Sequence, residues 1–398
     1  MFDEFYAGQQ MSVSQIEADA HRYDLVWGAY QPAAWRAGNP EALISRYYIL
    51  LEDNIDISGL GLQYWQTHHP DWILYACTAS GTPTRDIAYT PGDLSDDVPL
   101  DIHNPDVLDY QINQSLIPYA QSRDYNAVAI DEVLFDDLMY GGNPNLGQTE
   151  NTSEYACGVW NNDGTFTKHY SGRHDPQWTA DILTWIATAR RSLHAAGLSL
   201  VINHPGASPS DPNEQTLLAN VDATVDEAGF TDYGNYQLPS RSSLFLNTLA
   251  YMEYAQKRGV AFVDIAKYAL NGETTVTPDQ IEFAIGTYLI GNEGGADLFV
   301  VASTGYGTEQ YHPEFATRLR DPCGPYYGGP SYDPKNPNVY YRRFVDGISV
   351  VNAGSQIAEQ AVLPHHAYTD IEDRPVTNPL TVPPNDAFVM TTSGGGCN

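Results

Sequence analysis

Several short apolar runs in this chain end in carboxylic acids: Asp131-Glu132 after AVAI, Asp226-Glu227 after ATV, Asp264 within VAFVDI, and Glu52-Asp53 after RYYILL. An acid at the end of a buried run is costly unless it is paired, hydrogen-bonded or used in chemistry. Two such acids facing one another can cleave an acetal. One protonates the leaving oxygen while the other attacks the anomeric carbon or activates a water, and separations of about 5 Å or about 6.5 to 9.5 Å distinguish retention from inversion. Asn203-His204, ending the run LSLVIN, has the groups to hydrogen-bond a sugar hydroxyl or orient a carboxylate. The chain also holds 28 Tyr and 7 Trp, many in loop-like stretches, among them Trp160 and Tyr236. Flat rings with a polar tip suit sugar faces.

Other chemistries lack their residues. His204 has no second ligand at metal spacing, the four Cys form no CxxC, and NNDG at 161–164 lacks the alternating acids and distal Glu of a calcium loop. No metal is expected. There is no GxSxG elbow, no GxGxxG after the first strand and no GxxxxGK[ST], so neither a serine hydrolase nor a nucleotide site is indicated, and no organic cofactor is expected.

The elements that must position these acids read as eight strands: 24–30, 46–51, 71–77, 127–131, 198–203, 223–227, 260–265 and 297–303. Helical patterns lie between several of them, at 107–122, 178–196, 243–258 and 278–291. In the second, Ile182, Trp185, Ile186, Ala189 and Leu193 form one stripe and Gly197 closes the helix. Strands alternating with helices at this count predict a (β/α)8 TIM barrel over 24–303, whose catalytic groups stand at the C-terminal strand ends. Residues 1–23 read as an N-terminal segment, and 138–176 as an insertion over the mouth. From 304 to 398 the texture turns to Gly, Pro and Tyr and then to short strands, a small β appendage with a hairpin turn at Asp346-Gly347.

Composition bounds the partners. With 50 Asp+Glu against 19 Lys+Arg the formal charge is −31, which repels a phosphate backbone and disfavours polyanionic substrates, so no nucleic-acid partner is expected. Charged residues are only 17% of the 398 and hydrophobic ones 42%, enough for a large core. No apolar run of about 18 residues spans a membrane. The even number of Cys permits two disulfides, which fits an extracellular or cell-surface protein.

The ordered segments HPDWILYA, DIHNPDVLDYQI, AVAIDEV, GLSLVIN, VDATVDEAGF and YYRRFVDGISVVN resemble glycoside-hydrolase-like family fifteen, over roughly residues 24–352. The resemblance implies a barrel acting on a glycan, with Asp131 as nucleophile on strand four and Glu227 as acid/base on strand six. Asp131-Glu132 departs from the family's Asp-Asn, which leaves open whether Glu132 shares or takes over a role. With Glu132, Asn203, His204, Asp226, Asp264, Trp160 and Tyr236 as substrate-binding candidates, the expected function is a glycoside hydrolase. The alternative is a catalytically silent glycan-binding barrel that self-associates in a cell envelope, sheath or filament.

Overall fold

The computed structural model describes the chain apart from residues 6–10, 89–96, 138–153, 207, 228, 235–240, 269–275, 303–310, 317–318, 356, 365–366, 395–396 and 398. Eight parallel strands pair in sequential order: β1 (Phe2–Asp3), β2 (Leu25–Trp27), β3 (Leu43–Ile49), β4 (Ala127–Asp131), β5 (Ser199–Asn203), β6 (Ala223–Asp226), β7 (Ala261–Tyr268) and β8 (Ala296–Ala302). A helix lies in each of the seven connections. These include α1 (Val13–Asp19), α2 (Pro32–Gly38) and, between β3 and β4, a helix running from Pro105–Asp109 through Tyr110–Leu116 to Ile117–Ser122. The rest are Pro176–Ala195, Pro212–Leu218, Arg241–Lys257 and Pro278–Gly291. The sheet curls until its outer strands approach, and the Met1 amino group donates to Asp297 Oδ2 at 2.7 Å. This is the (β/α)8 barrel.

Parity along the strands decides which side chains face the axis. Leu25 and Trp27, Ala127 and Ala129, Ala223 and Val225, Val263 and Ile265, with Tyr47 and Val201, make one buried cluster inside the barrel. The alternate residues, such as Val26, Val128, Ile130, Leu200 and Ile202, pack outward against the helices. On Pro176–Ala195 the stripe Ile182, Trp185, Ile186, Ala189 and Leu193 is buried, and Gly197 follows with φ 78°. Burying each such large side chain contributes about 1.5–3 kcal/mol.

The strand count holds, but one member changes. DWILYAC, read as a barrel strand, instead leads into Tyr75–Thr78 in an antiparallel sheet with Pro83–Ile87, Glu154–Trp160 and Phe166–Lys168. Its place in the barrel is taken by Phe2–Asp3, which lies within the segment 1–23 and is too short to show a period. The antiparallel sheet joins the connections that follow β3 and β4, and Cys77–Cys157 staples it. The stretch at 107–122 is helical, but Tyr110–Leu116 winds as a π-helix. Pro118 lies in the turn that follows, Ile117–Ser122; it has no N–H to give and its ring crowds the carbonyl four residues back, which a wider preceding turn relieves.

The C-terminal residues form an antiparallel sheet, Tyr327–Gly328, Val339–Phe344, Gly347–Asn352 and Asp386–Thr391, with Cys323–Cys397 beside it. Helix Pro278–Gly291 is buried nearly all round because this sheet covers the side that the barrel leaves open. Phe344 pairs with Gly347, so the hairpin turn is Val345-Asp346, one residue earlier than the sequence suggested. Gly347 serves packing instead: a Cβ there would meet Met390 O at 2.1 Å.

Candidate functional site

The inward parity of the barrel core continues one step past the apolar layer. Counting 127, 129, 131 places Asp131 over the C-terminal mouth, and the same count places Asn203, Glu227 and Lys267 beside it. Asp131 is buried and held by three donors. Asn203 Nδ2 at 2.8 Å and the Glu132 amide at 2.9 Å donate to Oδ1, and the Tyr47 hydroxyl donates to Oδ2 at 2.9 Å. Burial, then repulsion from Glu227, raises the Asp131 carboxyl above its ordinary range, while the three donors oppose the rise by favouring the anion.

Asn203 is the geometric link. The same Nδ2 that donates to Asp131 also reaches Glu227 Oε2 at 3.4 Å, so the two carboxylate oxygens it joins lie within about 6 Å of each other. On its other side Glu227 Oε1 accepts from Lys267 Nζ at 3.2 Å. Tyr47 is fixed in turn by Phe5, whose ring stacks on it at 3.7 Å and 14°, and by the edge of Trp27. Gly28, with φ 66°, allows that stack, since a Cβ there would sit 2.5 Å from Phe5 Cβ.

The other strand-end acids have different surroundings. Glu132 takes a left-handed backbone, φ 57°, uncommon for a residue with a side chain, and points to solvent at the mouth. It is raised to about 8 by partial loss of water and then by Asp131 and Glu227. Glu52, just past β3, is 1% exposed, and neither of its carboxylate oxygens has a hydrogen-bond partner among the described residues. Desolvation first, then Asp97, Glu132 and Asp131, raises it to about 8.

Asp226 and Asp264 have outward parity and lie side by side in the β6–β7 register, buried between barrel and helices. They do not line the mouth with Asp131. Asp226 Oδ1 accepts from Gly229 N at 3.0 Å and Asp264 Oδ1 from Phe230 N at 3.1 Å, so together they pin the turn that follows Glu227. Burial and the facing Asp226 push Asp264 up to about 8.

His204 is also turned away from the mouth. Its Nδ1 meets Val133 O at 2.6 Å and its Nε2 meets Glu214 at 3.0 Å, so both ring nitrogens are engaged and no edge is left for a sugar. Burial alone would lower it, but the Glu214 hydrogen bond and charge carry it upward. Trp160 stands on the antiparallel sheet with its Nε1 on Thr84 O at 2.8 Å and the Arg85 guanidinium 3.6 Å over its ring. That ring face is already used. Tyr236 lies outside the described residues. Tyr47 and Lys267 were missed in the sequence, although parity with Val263 and Ile265 pointed to Lys267. Among the described residues no group of three or more His, Cys, Asp or Glu is arranged to hold a metal, and no helix is long and apolar enough to cross a membrane.

No family model matches the chain, and no curated protein matches it significantly. Solved structures similar to it are glycoside hydrolases. A noncanonic maltogenic α-amylase, AmyB from Thermotoga neapolitana, is 12% identical over 98% of this chain and 97% of its own, with a TM-score of 0.48. A GH27 β-L-arabinopyranosidase from Geobacillus stearothermophilus is 10% identical over 98% and 95%, with a TM-score of 0.49. Ega3 of Aspergillus fumigatus, solved with galactosamine, is 12% identical over 76% and 90%, with a TM-score of 0.40. The resemblance to glycoside-hydrolase-like family fifteen therefore rests on its short motifs.

Proposed function

We propose that the protein is a retaining glycoside hydrolase with Asp131 as nucleophile and Glu227 as acid/base. The observation that supports this reading is the Asn203 amide reaching one oxygen of each carboxylate, at 2.8 and 3.4 Å, because those two oxygens then lie within about 6 Å, nearer the retaining separation of about 5 Å than the middle of the inverting range of about 6.5 to 9.5 Å. An Asp131 oxygen attacks the anomeric carbon and forms an ester as the bond to the leaving oxygen breaks, and Glu227 gives that oxygen its proton. Glu227 then takes a proton from water, the hydroxide oxygen bonds to the anomeric carbon, and the Asp131 carboxylate leaves.

Asn203 and Lys267 hold Glu227 beside the bond being broken, and Tyr47 and the Glu132 amide keep charge on Asp131. The two disulfides, Cys77–Cys157 and Cys323–Cys397, persist where thiols are oxidised, which supports an extracellular site of action. The test is a glycan panel assayed with Asp131→Asn and Glu227→Gln. Each variant is expected to lose about 10²–10⁴-fold in kcat, and wild-type turnover in both overturns the assignment.

A further inference from the structure

We propose that His204 is a positioning residue for the nucleophile: by holding Val133 it keeps Glu132 in its left-handed turn, and with it the amide that donates to Asp131. This rests on the hydrolase reading of the site. His204 is 3% exposed with both ring nitrogens engaged away from the mouth, so it acts on Asp131 through the backbone between them.

The corner after β4 shows why a clamp is needed. The Asp131 carbonyl accepts from the Leu50 amide at 3.3 Å, which keeps Asp131 in the sheet. The next residue turns to φ 57°, a conformation that is costly for a residue with a side chain and persists only where its surroundings enforce it. In that turn the Glu132 amide donates to Asp131 Oδ1 at 2.9 Å.

The enforcement comes through Val133, whose backbone is gripped on both sides by the end of β5. Its N–H donates to Asn203 O at 3.3 Å, and its carbonyl meets His204 Nδ1 at 2.6 Å. A carbonyl oxygen can only accept, so Nδ1 carries the proton. The ring is fixed in turn. Its Nε2 meets Glu214 Oε1 and Oε2 at 3.0 and 3.1 Å, the Phe135 ring packs 4.9 Å away, and the His204 amide donates to Val225 O at 3.0 Å. Losing this clamp lets Glu132 relax and takes a donor from a buried carboxylate whose anion Glu227 already disfavours.

Two amide substitutions separate the two edges of the ring. Asn places a donor where Nδ1 stood and Gln places one where Nε2 stood, so His204→Asn keeps the Val133 link and His204→Gln keeps the Glu214 link. In His204→Gln, kcat is expected to fall about 10-fold with KM nearly unchanged. The Asp131 carboxyl is expected to titrate about one pH unit higher, read by NMR on carboxyl-labelled Asp as the signal that Asp131→Asn removes. His204→Asn is expected to restore most of both.

The opposite order, with His204→Gln near wild type and His204→Asn impaired, ties His204 to Glu214 alone and overturns the inference, as does an Asp131 titration that neither variant moves. Should His204→Gln fail to fold, amide hydrogen exchange in the wild type decides. The Glu132 amide is expected to exchange at the pace of β5, and exchange at the pace of an open loop refutes the clamp. The two readings fail separately. The titration and the exchange need no substrate and so stand without hydrolysis, whereas a protein that cleaves glycans with an unmoved Asp131 titration loses the clamp and keeps the hydrolase.

Discussion

Asp264→Asn tests the electrostatics beneath the site most directly. Asp264 is fully buried beside Asp226, and burial first and then the neighbouring Asp226 raise it, so Asp264 keeps its proton up to about 8. An unfolded Asp releases it near 3.9. The folded form therefore binds one more proton than the unfolded one between about pH 5 and about pH 8, and stability falls by about 1.4 kcal/mol per pH unit across that window. The sign follows from the raised pKa: the contribution is fully present below the unfolded value and is lost as pH rises through the folded one. Over three units the loss is of order 4 kcal/mol.

Asn keeps an oxygen for the Phe230 amide at 3.1 Å and cannot ionise. The variant should lose about 1 kcal/mol at pH 5 through imperfect replacement and gain on wild type steadily towards pH 8. Urea unfolding of both proteins at half-unit steps of pH reads the difference directly. Glu52, Asp53 and Glu282, raised to about 8, 7 and 7 by burial first, add slope to both proteins and cancel in the comparison. A stability difference that does not change with pH would refute the raised titration of Asp264.

Tyr47→Phe removes the hydroxyl that donates to Asp131 Oδ2, so the Asp131 carboxyl rises further and the acid limb of the kcat/KM profile moves up, by on the order of one pH unit. An unmoved limb in the pH–rate profile would show that Tyr47 does not tune the nucleophile. Replacing Cys77 and Cys157 together by Ser opens a crosslink between residues 80 apart in sequence, which lowers the stability of the fold that holds the antiparallel sheet beside the mouth by about 4.5 kcal/mol on a chain-entropy estimate. Proteolysis within 154–168 under native conditions checks this, and unchanged cleavage rates would place the staple's effect elsewhere.

The chain's local patterns carried much of this protein. Acids at the ends of apolar runs and a helical stripe at 182–193 are properties of neighbours in sequence, and the stripe is buried as read. The strand period extends to Asp131, Asn203 and Glu227, because a strand that keeps its period delivers its terminal residue to a known face, whereas Glu132 follows with a left-handed backbone that the period does not foretell.

What local pattern could not decide was pairing and rotation. Phe2–Asp3 belongs to the barrel and Tyr75–Thr78 does not, although the second is the more apolar, since strand partners are chosen by the whole sheet. His204 and Asp226 stand beside the catalytic candidates in sequence but have the opposite parity or a buried partner, Glu214 or the Gly229 amide. Tyr47, Lys267 and Glu52 come from other strands and meet the acids only through barrel closure. Sequence set which side chains could face the axis, and tertiary structure set which of them met, because parity is local while the charges around a carboxylate come from the entire ring of strands.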